Sequence, residues 1–184
     1  MSVPDTPFWS YSVTTYGQDA VAGECLTLQD RFGLDVNIVL LCCWLGSRGT
    51  ALDHAQTTHV IEFTDAWASS VIAPLRAIRR RLKQDIQDEI IATFRAEIAA
   101  LELAAEKIQQ TRLFDTFGTL PADPAAAAMP TAAQNLANYV AIRNQPPDTS
   151  LRDSLVKLLH AAFPDAPEVD IVSCLAVSAS DQTI

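Results

Sequence analysis

Gly33-Leu34-Asp35-Val36-Asn37-Ile38-Val39-Leu40-Leu41-Cys42-Cys43-Trp44-Leu45-Gly46 is the most apolar and most clearly bounded stretch of the chain. Gly33 can take the left-handed conformation that ends a helix, and Asp35 can cap the next helix by accepting hydrogen bonds from its first amides. Two helices therefore meet at Gly33-Leu34. From Val36 to Leu45 every residue but Asn37 is apolar, all round the helix, which is the pattern of a helix surrounded by others. The run is half the ~20 residues a membrane span needs, so it reads as a buried core helix. Asn37 is the exception: satisfying a helix terminus is the simplest use of its amide, and contacting a ligand is the alternative.

A chain of 184 residues is long enough for one domain with a real core and too short for two comfortable ones. Its hydrophobic content of 49% excludes a wholly disordered chain, and its net charge of -9 argues against general affinity for nucleic acid or an anionic membrane. Cys25, Cys42, Cys43 and Cys174 form no CxxC pair and have no histidine at zinc-ligand spacing. With no signal peptide or membrane span, they read as small core residues of a cytoplasmic protein. No metal site and no cofactor is expected. His59 and Glu62 share a helical face, but that spacing alone is a surface or capping pair.

Working outward, Thr6-Pro7 opens an aromatic helix through Phe8, Trp9, Tyr11 and Tyr16 that looks like a lid on the core. Asp19 then caps a helix whose Val21, Cys25, Leu28 and Phe32 fall on one face. Beyond the turn at 46–50, a loosely polar segment reaches Thr58. From His59 to Lys83 the residues Phe63, Trp67, Val71, Leu75, Ile78 and Leu82 recur at helical spacing and should face the core together. Pro74 either bends that element or opens a second helix within it. Residues 86 to 117 form the longest helix, with a seam of Ile90 or Ile91, Phe94, Ile98, Leu101, Ala105 and Ile108, and with Glu97, Glu102 and Glu106 away from it. Its length leaves room for a homodimer.

These readings give an all-α, irregular multi-helix bundle around a buried central helix at about 36–46. The expected organisation is a helical core at 6–117 and a Pro/Ala-rich linker at 118–130. A C-terminal helical extension at 131–178 packs on the core, and a disordered tail follows at 179–184. The stretch 168–178 is ambiguous between helix and strand, with Asp165, Pro167 and Glu168 favouring a helix start. Ser150 with Asp153 suggests the start of the helix before it.

Arg76, Arg79, Arg80 and Lys83, with Arg81 beside them, form a basic stripe in an acidic chain. Arginine forks bind carboxylates and phosphates, so the stripe can receive an anionic ligand or an acidic partner. It can equally pair with the acids of the next helix, Asp85, Asp88, Glu89, Glu97, Glu102 and Glu106. A diphosphate-metal site built on Asp85, Asp88 and Glu89 lacks a second acidic motif, and the start of a solvated helix explains those residues better.

The motifs Phe8-Trp9-x-Tyr11-Ser12, Leu28-Gln29, Gly33-Leu34-Asp35-Val36-Asn37, Trp44-Leu45-Gly46, Trp67 and Pro74-Leu75-Arg76-x-x-Arg79-Arg80-x-Leu82-Lys83 resemble those of a small bacterial family of uncharacterised helical proteins. The resemblance covers roughly residues 8 to 113. It implies a shared helical domain and no activity, and it draws attention to its polar positions Gln29, Asp35, Asn37, Arg76 and Arg79. With Arg80 and Lys83 these are the candidate binding residues; no catalytic motif is present. The first functional expectation is a protein-binding or scaffold module that uses the basic face. The alternative is a pocket inside the bundle where Asn37, Gln29 and Arg76 converge on a small anionic ligand beneath Trp9, Tyr11 and Trp44.

Overall fold

A computed structural model of the chain describes residues 3–19 and 21–180, and among these every regular element is helical. The order is α1 (Pro7–Tyr16), α2 (Val21–Phe32), α3 (Val36–Ser47), α4 (His54–Trp67), a π-helical turn (Ala68–Ile72) and α5 (Ala73–Arg81). A 3-10 turn (Leu82–Asp85), α6 (Glu89–Phe117), α7 (Ala128–Ile142), α8 (Thr149–Ala162) and α9 (Glu168–Ser180) complete it. The all-α, multi-helix architecture agrees with the sequence.

Local chemistry sets most of the boundaries. Thr6 accepts from the Trp9 amide to cap α1, and Pro7 stands in its first turn, where a missing N–H costs nothing. Gly33 has φ +63° and closes α2, while Asp35 caps α3 by accepting from the Asn37 amide at 2.9 Å. Asp53 and Gln56 form a reciprocal capping box, so α4 begins at His54 and not at His59. Asp148, not Ser150, caps α8. The ambiguous C-terminal segment is helix through Ser180; of the expected disordered tail, residues 181–184 lie outside the described residues.

Helix α3 lies at the centre with Ile38 to Gly46 buried throughout, and its most extensive partner is α7. That contact is close. A Cβ added to Gly46 would stand 2.5 Å from the Ala132 Cβ and nearer still to its backbone. Asn135 of α7 is fully buried, accepts from the Leu52 amide at 2.7 Å and donates to the Thr50 carbonyl at 3.0 Å, which fixes the loop after α3. One hydrophobic core therefore takes in Leu28, Leu41, Leu113, Leu136, Leu158 and Ile171, from α2 to α9. The helix expected to start after the proline-rich linker in fact starts at Ala128, with Pro130 inside its first turn.

The element from α4 to α5 departs from its expected face. Val60, Ile61 and Ile72 are buried, whereas Phe63, Trp67 and Leu75 are half-buried and Ile78 is exposed. The turn ahead of Pro74 is π-helical, which accommodates the proline within one continuous helical rod. Helix α6 departs further. Glu102, Gln109 and Gln110 are buried on it, while Ile90, Phe94 and Leu101 of the expected seam are exposed. Helix α6 packs along α5 and the 3-10 turn as a hairpin, and its buried residues begin only at Ile98.

Candidate functional site

The polar candidates separate into two groups, one spent on ion pairs and one around a cavity. Arg76 donates to Glu102 at 2.9 Å and to Glu106 at 2.8 Å, and Arg79 donates to Glu102 at 2.5 Å. Arg80 pairs with Asp30 of α2, and Arg81 with Asp85 at 3.1 Å. Lys83 is exposed. The basic stripe is thus mostly neutralised by acids of this chain. Burial pushes the Glu102 carboxyl up, but hydrogen bonds from Arg79 and Arg76 outweigh burial and hold it below the ordinary carboxylate value.

The second group surrounds a cavity of about 890 Å³ bounded by α1, α2, the start of α3, the π-helical turn, α6 and the end of α7. Trp9, Val13, Leu26, Leu34, Ile72 and Leu103 supply apolar wall, and Gln29, Asp35, Asn37, Arg76, Glu106 and Gln110 supply polar wall. Gln29, Asp35, Asn37 and Arg76 are therefore brought together, while Arg79, Arg80 and Lys83 are not among the lining residues. Tyr11 and Trp44, expected above such a pocket, do not line it; Trp44 packs instead on Phe8 and Phe114, and Tyr16 and Tyr139 take part in the cavity wall.

Asn37 does not satisfy a helix terminus with its side chain. Its amide donates to Gln109 Oε1 at 2.8 Å and accepts from Gln110 Nε2 at 2.8 Å. Gln109 in turn donates to Asp35 at 2.6 Å, and the Asp35 amide donates to the Tyr139 hydroxyl at 2.8 Å. Asp35 thus caps α3, anchors α6 and ties α7 to the cavity wall. Burial raises its carboxyl, against the opposing hydrogen bonds from Gln109 and Asn37 and the charge of Arg76. Burial likewise raises Glu106, with Arg76 opposing. The Gln29 amide donates to Asp30 at 3.0 Å.

Two residues of this wall each carry an unpartnered polar atom that is shielded from the cavity. Gln110 Oε1 and Ser12 Oγ are buried without a hydrogen-bond partner, although both residues line the cavity. Gln109, Gln110, Glu106 and Ser12 were absent from the sequence candidates. Gln109-Gln110 lies between Glu106-Lys107 and Thr111-Arg112, so nothing in the local sequence marks the two glutamines as buried.

Among the described residues no group of histidine, cysteine, aspartate and glutamate is arranged to hold a metal ion, and no helix is long and apolar enough to cross a membrane. His59 stacks edge-on against Phe117, and Asp88 caps α6 while Asp85 pairs with Arg81. The carboxylates near residue 85 thus have structural uses.

Fold and site define an all-helical bundle with a polar-edged cavity open to the surface. The chain belongs to the family described as "Protein of unknown function (DUF2390)", whose model matches residues 7–113. No curated protein and no solved structure matches the chain significantly. The family match ends at Leu113, yet Tyr139 and Arg143 of the cavity wall come from beyond it.

Proposed function

We propose that this protein binds a small molecule in the cavity between α1, α2 and α6. The observation that carries this reading is a cavity of about 890 Å³ with a largely apolar wall on which Gln29, Asp35, Asn37 and Arg76 converge. Ligand sites commonly fall in the range of roughly 300–1,000 Å³, with apolar walls and a few convergent polar groups. The π-helical turn lends further support, because Ala68, Ser69 and Ile72 line the cavity and such turns concentrate at functional sites.

An anionic ligand fits less well than the basic stripe alone suggests. Arg76 already serves Glu102 and Glu106, and Asp35, Asp65 and Glu106 face the cavity with only Arg76 and Arg143 as cationic lining residues. Cys25, Cys42 and Cys43, buried and unbridged, support a reducing, cytoplasmic setting.

The test is native mass spectrometry of the chain purified gently from its host, beside Ala73→Trp, which places a ring at the exposed cavity rim. A small bound mass present in the parent and lost in the variant is the expected result. A bare parent that also binds no member of a small-molecule library in thermal-shift screening refutes the reading.

A second reading rests on the α5–α6 hairpin. Ile90, Phe94 and Leu101 are 80%, 47% and 56% exposed and share one face of α6. A second copy of the chain, docking helix on helix, would cover them as a homodimer. Sedimentation should then show a dimer that Ile90→Lys with Phe94→Lys converts to monomer; a monomeric parent at high concentration refutes it.

A further inference from the structure

The charges around the cavity do not balance. Arg76 and Arg79 share Glu102, Arg76 also donates to Glu106 at 2.8 Å, and Arg143 stands 3.4 Å from Asp65. Two arginines therefore meet two glutamates, and a third arginine meets one aspartate. Asp35 is the lining carboxylate left over. Among the described residues no cationic side chain stands within ion-pair distance of it, and its two oxygens accept from the neutral amides of Asn37 and Gln109. The wall thus carries one negative charge without a counter-ion, and a bound cation offsets the cost of keeping it in a half-buried place.

Glu106 is the member of this group that a ligand can reach. Its side chain lines the cavity and is 28% exposed, and Arg76 occupies only Oε1. Oε2 has no hydrogen-bond partner among the described residues and, unlike Gln110 Oε1, is not sealed from solvent. Burial pushes this carboxyl up, Arg76 opposes, and the charges of Glu102 and Asp35 add to the rise, so the unpaired charge is felt where the open oxygen stands.

The apolar side of the cavity is open as well. Val13, Tyr16, Leu26 and Leu103 line it and are all exposed, which leaves apolar surface uncovered at its mouth. The Tyr16 hydroxyl is pushed up by burial and then by the nearby Cys25 and Glu106, with Arg76 and Arg79 opposing, which sets this aromatic rim beside the carboxylate. A ring so placed attracts an ammonium ion in its own right.

Resting on the small-molecule reading above, we propose that the ligand is a small organic cation, an ammonium on an apolar body, with an N–H received by Glu106 Oε2 and the body seated against Val13, Tyr16, Leu26 and Leu103. Glu106 is the binding residue. Asp35 acts through its field, because both of its oxygens are already taken.

Phenethylamine, phenethyl alcohol and phenylacetate carry one ring on a short arm, and near neutral pH they are a cation, a neutral molecule and an anion. Their affinities for the full chain are compared by NMR titration, following amides along the cavity wall. The amine should bind about tenfold more tightly than the alcohol, the effect of one charge-assisted hydrogen bond at a half-open site, and the acid should bind most weakly. Glu106→Gln should remove the amine's advantage and keep the alcohol's affinity. Leu103→Lys, at a position 54% exposed where the fold is not at stake, adds a positive charge at the mouth. It should cut the amine's advantage over the alcohol and raise the affinity of the acid.

A parent that binds the alcohol as tightly as the amine, or prefers the acid, overturns the cationic ligand while leaving the cavity a binding site. So does an amine advantage that survives in Glu106→Gln. Should Glu106→Gln lose the alcohol too, Leu103→Lys decides, and an amine advantage unchanged there overturns the proposal. If none of the three perturbs any cavity amide of the parent at saturation, the small-molecule reading falls, and the cationic ligand falls with it.

Discussion

Gly46→Ala sets two effects of opposite sign against each other. Alanine in a helix interior is favoured over glycine by about 1 kcal/mol, and Gly46 lies inside α3. Its new Cβ, however, would stand 2.5 Å from the Ala132 Cβ and closer to the Ala132 backbone, where ordinary contact begins at 3.4 Å. Backbone cannot rotate aside, so α3 and α7 must part by about 1 Å, with overpacking of this kind costing roughly 1–3 kcal/mol. Asn135 and Tyr139 hold α7 to the Thr50–Leu52 loop and to Asp35, which resists the separation and places the cost at the upper end. The net expectation is a loss of about 2 kcal/mol, or a fall of roughly 4–8 °C in melting temperature for a chain of this size. Gly23→Ala is the control, because nothing lies within 4 Å of its added Cβ on α2, and it should gain up to about 1 kcal/mol. Urea unfolding followed by circular dichroism measures both. A Gly46→Ala protein as stable as its parent, with an unchanged dependence on urea, would refute the close α3–α7 contact.

Glu102→Gln leaves Arg76 and Arg79 without their shared charge, and should lose about 3 kcal/mol, the low end for a buried pair because the two arginines are 20% and 25% exposed. The same carboxyl makes an acid-dependent contribution. Because its folded value is lowered, its contribution is present above the ordinary carboxylate value of about 4.3 and is lost as the pH falls through the folded value. Urea midpoints should therefore fall more steeply with acid in the parent than in Glu102→Gln, and parallel curves would count against the network; Asp35 and Glu106, raised by burial, favour the folded state in the opposite direction in both proteins. Arg80→Ala should change stability by no more than about 0.5 kcal/mol, since the Arg80–Asp30 pair is 46% and 44% exposed. Asp148→Ala removes the acceptor for the Ser150 and Leu151 amides at the start of α8 and should cost about 1 kcal/mol in the same assay, with a negligible change arguing against that cap.

The candidate site was partly legible. Asp35 and Asn37 drew attention because a polar pair at the start of so apolar a helix needs partners, and Arg76 because it heads a cluster of like charge. What the sequence did not disclose was which partners these residues take. Asn37 reaches Gln109 and Gln110, separated from it by more than seventy positions, and nothing in helical periodicity marks those glutamines as buried. Periodicity was misleading on α6, where Ile90, Phe94 and Leu101 form a regular apolar seam that none of the described elements covers, while Glu102 on another face is buried by two arginines. A hydrophobic pattern records what a face is able to bury. It does not record whether the chain supplies something to bury it against.

The sequence by itself determined the helical class, the buried central helix, its left-handed stop at Gly33 and its cap at Asp35. Those follow from local sterics, short-range hydrogen bonding and the uninterrupted apolar run from Ile38 to Leu45. Only the tertiary structure decided that α7 is the principal partner of α3, that Arg76 is held by Glu102 and Glu106, and that a cavity opens where α1, α2 and α6 meet above Asp35. These features arise from which surfaces meet across long separations in the chain. Such choices are settled by the summed fit of many weak contacts, and no single segment carries that sum.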